Sequence, residues 1–108
     1  MKFLFTILFF CTLLTINAQN LVPNPSFEIY DTCPNNYGGN NLSNGWYPFS
    51  SSPDYFNACS INSSVGVPVN GFGNQNASTG NAYCGFASYH SSNWNELLGR
   101  KLSTTLFL

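Results

Sequence analysis

At 108 residues, 6% of them charged and 17% aromatic, the chain holds at most one small domain, and it is the opposite of a disordered segment, which is charge-rich and aromatic-poor. Its formal net charge is −1, with Lys2, Arg100 and Lys101 the only lysines and arginines. That excludes nucleic acid, whose phosphates need a basic patch, and an anionic membrane surface for the same reason.

Lys2 opens the chain, Phe3 to Ile16 is an apolar run broken only by Thr and Cys, and Asn17-Ala18-Gln19 ends it. A charged start, an apolar centre and a small residue at the end make the pattern of a secretory signal peptide, so residues 1–18 are assigned to one, cut after Ala18. The run is shorter than the ~20 apolar residues of a membrane span. Cys11 follows Phe9-Phe10, where a lipoprotein signal would carry small residues, so a lipid anchor is set aside. Residues 19–108 are expected to be exported, without a transmembrane span, to the periplasm, the outer membrane or the medium, with the export machinery as partner.

The mature part reads as short strands in long loops. Ser26 to Tyr30 alternates and is predicted as the first strand, with Pro23 and Pro25 keeping its approach extended. Asn35 to Asn41 is turn material. Gly45-Trp-Tyr-Pro-Phe49 is predicted as an edge strand, because Pro48 has no N–H for a central ladder. Val65 to Thr79, rich in Gly and Asn, is expected to be mostly loop, and Ala82 to Tyr89 a strand. Glu96 to Ser103 could pass for a helix by pattern, but Gly99 inside it and Thr104-Thr105 after it favour a strand. The class is all-β, as part of a sandwich. About four strands convince, where a sandwich needs about seven. The chain stops mid-apolar at Leu106-Phe-Leu, so the domain is expected to be incomplete here and not to fold stably by itself.

Cys33, Cys59 and Cys84 remain after cleavage, and three thiols can form one bond in three ways. Cys33 and Cys59 stand in turn-rich stretches, whereas Cys84 sits in a strand-like run where it packs as a small hydrophobe; the expected bond is Cys33–Cys59. No CxxC spacing or His cluster supports zinc.

Catalysis has little support. Glu28, Asp54 and Glu96 are present, but no local motif pairs them as a glycosidase requires. His90 beside Ser91 and Ser92 reads as a solvated loop residue, and no GxSxG turn exists. Binding is better supported, because sugars stack on aromatic rings. Trp94, Tyr89, Tyr55 and Tyr47 are the candidate ligand-binding residues, Trp94 foremost because Asn93 and Asn95 flank it; Trp46 and Phe56 are read as core. The sequons at Asn41, Asn62 and Asn76 are treated as chance.

An ordered set of short motifs spans nearly the whole mature chain. They are Asn20-Leu-Val-Pro-Asn-Pro-Ser-Phe-Glu28, Cys33-Pro34, Trp46-Tyr-Pro48, Pro53-Asp-Tyr-Phe-Asn-Ala-Cys59, Gly66 to Gln75, Gly80 to Gly85, and Asn95 to Leu102. In this order they resemble the N-terminal galactose-binding-like jelly-roll modules, akin to carbohydrate-binding modules, of large exported Bacteroidetes proteins. Such proteins are described as gliding-motility-associated, as type IX secretion substrates or as OmpA-family. Cys84 departs from the small residue expected at its place. The resemblance implies a partial jelly-roll β-sandwich over 19–108. It also implies that Glu28, on the first strand, could help hold a structural calcium ion, the one cofactor it suggests. The function expected is a non-enzymatic cell-surface module with a polysaccharide or other surface polymer as partner. The alternatives are a structural spacer or adhesin domain, and an accessory module of a glycan-active enzyme encoded downstream.

Overall fold

The computed structural model describes residues 19–38, 43–92 and 94–106. The expected signal peptide, 1–18, lies outside them. The regular elements are β1 (Trp46–Ser50), β2 (Asp54–Asn57), a 3-10 turn (Ser63–Val65), β3 (Val69–Asn70), β4 (Gly73–Asn74), β5 (Ala82–Gly85) and β6 (Leu97–Arg100). They pair as three two-stranded ladders, β1 with β6, β2 with β5 and β3 with β4, each antiparallel. The all-β class is therefore seen. No ladder exceeds two strands among the described residues, so the ladders stop short of jelly-roll sheets. None of the described helices is long and apolar enough to cross a membrane.

β1 is the strand predicted around Trp46, and Pro48 is accommodated because β1 has a neighbour on one side only. The register slips between Pro48 and Ser50, and the intervening Phe49 is exposed. β6 settles the Leu97-Leu-Gly-Arg segment as strand. Gly99 faces Tyr47 across this ladder, and a Cβ there would lie 2.8 Å from the tyrosine ring.

Three segments differ from the sequence reading. Ser26 to Tyr30 is not a strand. Asn24 and Phe27 both take positive φ, 49° and 64°, which ends any extended run. The Asn24 side chain instead supplies the bonds a neighbouring strand would give: its Nδ2 donates to the Ile29 carbonyl and its Oδ1 accepts the Ile29 N–H. The Trp46 indole N–H donates to the Asn24 carbonyl at 2.8 Å, and the Trp46 and Phe27 rings meet at 4.7 Å. The predicted Ala82–Tyr89 strand ends at Gly85, because the Ala87 backbone leaves the ladder to pair with Glu96. The supposed loop 65–79 contains the β3–β4 hairpin, turned at Gly71-Phe72 with the Phe72 N–H donating to the Asn70 side chain.

The core is small. Tyr55, Phe56, Val65 and Ala82 are its buried apolar residues, joined by the buried Asn57. Tyr55 points inward: its hydroxyl donates to the Phe27 carbonyl at 2.9 Å and accepts from Asn57 Nδ2 at 2.7 Å. The Asn57 side-chain Oδ1 in turn accepts the Cys59 N–H. Cys59 is bonded to Cys33, with Cα atoms 5.8 Å apart, as the loop settings predicted. Cys84 is unpaired and half-buried; burial, with Asp54 nearby, pushes its thiol up to about 12.

Glu28 ties the N-terminal segment to β5. Its Oε1 accepts the N–H groups of Asn81 and Ala82 at 2.8 and 2.9 Å. Gly80 beside it has φ of 68°, and a Cβ there would stand 2.4 Å from that oxygen. Glu28→Ala is expected to cost about 2 kcal/mol, since hydrogen bonds to a charged acceptor contribute ~1.5–3 kcal/mol. Glu28→Gln, which keeps an acceptor oxygen, should recover part of that loss, and urea midpoints of the two variants measure the difference.

Candidate functional site

The β2–β5 ladder has two unlike faces, because side chains alternate along a strand. On β2, Tyr55 and Asn57 point into the core while Asp54 and Phe56 share the other face. On β5, Ala82 and Cys84 take the inner face, and Tyr83 and Gly85 the outer. The register sets Phe56 opposite Tyr83 and Asp54 opposite Gly85. The Phe56 and Tyr83 rings stack at 5.0 Å, and Gly85 leaves room for Phe56: a Cβ there would lie 3.0 Å from its ring.

This outer face is the floor of a cleft of about 600 Å³, within the ~300–1,000 Å³ of small-molecule sites. The hairpin forms one wall, with Phe72 packing edge-on against Phe56 at 6.0 Å. Phe86, Ala87, Trp94 and Glu96 form the other. Five aromatic rings therefore line it, from Phe56, Phe72, Tyr83, Phe86 and Trp94. Phe72 is 74% exposed and Trp94 41%, so both present ring surface to a ligand. The Trp94 ring is held by stacking on His90, with centroids 4.4 Å apart.

Two carboxyl groups enter the same cleft. Glu96 is buried and holds the two adjacent segments: Oε2 accepts the Ala87 N–H at 2.7 Å, Oε1 accepts from Ser52 Oγ at 3.4 Å, and its own N–H donates to the Ala87 carbonyl. Asp54 Oδ1 accepts the Gly38 N–H at 2.7 Å. Burial pushes the Asp54 carboxyl above the ordinary aspartate range; the Gly38 bond pulls it back, and the neighbouring Glu96 pushes it further up. A folded-state value above the unfolded one means the native state binds the extra proton. Asp54 ionisation therefore costs stability, which falls as pH rises through the window between the two values.

The ligand candidates read from the sequence separate. Trp94 lines the cleft. Tyr55 is 2% exposed and belongs to the core. Tyr47, on β1, and Tyr89, 82% exposed, lie outside the cleft lining. Glu28 spends Oε1 on two backbone donors, and no group of three or more His, Cys, Asp or Glu that could hold a metal occurs among the described residues. Phe72, Tyr83, Phe86 and Asp54 were not singled out as ligand residues. The alternation in Asp54-Tyr-Phe-Asn57 was the available signal for the last of these, and the glycines around Phe72 marked an exposed turn. Comparison with protein-family models, with curated proteins and with solved structures finds no match to this chain.

Proposed function

We propose that this chain is an exported, non-enzymatic β-module that binds a polysaccharide or another cell-surface polymer through the aromatic cleft. The observation that carries the reading is the set of five rings lining one cleft of ligand size, with Phe72 and Trp94 both open to solvent. The resemblance to galactose-binding-like jelly-roll modules supports the same reading and adds export by a signal peptide over residues 1–18. Asp54 and Glu96 meet in the cleft, which revives the question of hydrolysis. Both Glu96 oxygens are engaged by protein donors, however, so this carboxyl group serves to hold the wall rather than to shuttle a proton.

Trp94→Ala and Phe72→Ala are each expected to weaken retention on an insoluble polysaccharide about fivefold, since a stacked ring contributes about 1 kcal/mol. Tyr47→Ala and Tyr89→Ala should leave it unchanged. Retention across a polysaccharide panel measures this. If Tyr47 or Tyr89 carries the binding, the cleft is the wrong site. If no polymer is retained, the spacer or adhesin reading replaces it.

A further inference from the structure

The cleft lining carries two carboxyl groups, Asp54 and Glu96. No Lys, Arg or His belongs to its lining. Two of its three side-chain amides, those of Asn70 and Gln75, are engaged within the protein: Asn70 Nδ2 donates to the Tyr83 hydroxyl and the Gly66 carbonyl, and its oxygen accepts the Phe72 N–H. Gln75 Nε2 donates to the Asn76 carbonyl. Asp54, by contrast, uses Oδ1 for Gly38 and leaves Oδ2 without a hydrogen bond among the described residues. A neutral sugar presents hydroxyls that need both donors and acceptors. A protonated amine brings only donors and a positive charge. It can meet a carboxylate on one side and the face of an aromatic ring on the other.

We infer that the cleft selects a sugar unit bearing a protonated amine, with the sugar ring laid on Phe72 or Trp94 and the ammonium group on Asp54. The inference rests on the reading that the cleft binds a glycan, and it names the class of sugar. Burial and the neighbouring Glu96 push the Asp54 carboxyl up and the Gly38 N–H pulls it down, while Cys84 on the partner strand stays an uncharged thiol at neutral pH. A bound ammonium opposes the burial that disfavours the Asp54 carboxylate. Binding is accordingly present at neutral pH and lost as pH falls through the Asp54 titration.

The test is a titration of the full chain with a glucosamine tetramer, its N-acetylated counterpart, a cellulose-derived tetramer and tetralysine. The glucosamine tetramer is expected to bind about tenfold more tightly than either neutral sugar, a difference that weakens with added salt. Asp54→Asn keeps an acceptor for Gly38 and should abolish that difference. Trp94→Ala should weaken all sugars together. Equal or tighter binding of a neutral tetramer overturns the amine preference and leaves the glycan reading standing. Tetralysine binding as tightly as the glucosamine tetramer overturns the sugar part. If none of the sugars binds, here or in the wider panel, the glycan reading itself fails and the inference with it.

Discussion

Tyr55→Ala is expected to cost about 3–5 kcal/mol, the range for emptying a large aromatic site in a core. Little apolar material can collapse into the void: among the described residues the other buried apolar side chains are Phe56, Val65 and Ala82, and Phe56 lies on the opposite face of the ladder. The substitution also strips the Phe27 carbonyl of its donor and Asn57 Nδ2 of its acceptor. Tyr55→Phe separates the two effects: it keeps the ring and removes the hydroxyl, for an expected cost of about 1–3 kcal/mol, the penalty for leaving buried polar groups unpaired. Pulse proteolysis of the three chains reads both losses. A Tyr55→Phe variant as resistant as the parent would remove the hydrogen-bond chain from the account and leave only the packing.

Replacing Cys33 and Cys59 together by serine is expected to cost about 3 kcal/mol. The bond joins residues 26 apart in sequence, and closing a loop of this length restricts the unfolded chain by about that amount. Net stability of small domains is only ~5–15 kcal/mol, and this core is small even for its class. The bond also sits two residues past the end of β2, at the residue whose N–H donates to the Asn57 side chain. Its loss therefore loosens Tyr55 and Phe56 from the C-terminal side. Urea unfolding with and without reductant checks this, and reduced parent and double-serine variant should coincide. A reduced midpoint equal to the oxidised one would place the bond outside the cooperative unit.

The sequence exposed part of this architecture for physical reasons. β1 was legible because an aromatic run with a proline suits an edge strand, and β6 because Gly99 and the threonines after it tip a helix-like pattern towards strand. The Cys33–Cys59 pairing was legible because a thiol in a loop and a thiol in a strand have different surroundings. The first segment was misread because its alternation, Ser26 to Tyr30, is real but is overridden by the Asn24 side chain, which replaces a strand partner. The cleft was only partly legible. Trp94 could be guessed from its polar neighbours. The register that stacks Phe56 on Tyr83 and sets Asp54 against Gly85 joins residues too far apart in sequence for any local pattern to reveal.

The half-buried thiol of Cys84 gives this molecule a clock. It lies on β5 opposite Tyr55 and is only partly exposed, so parting of the β2–β5 ladder uncovers it further. With its thiol pushed up to about 12, almost none is reactive thiolate in the closed state at neutral pH. An alkylating reagent therefore modifies it faster the more often β2 and β5 separate. Because the other face of the same ladder is the cleft floor, an occupant of the cleft must slow that clock, and occupancy becomes readable by mass without any label on the ligand.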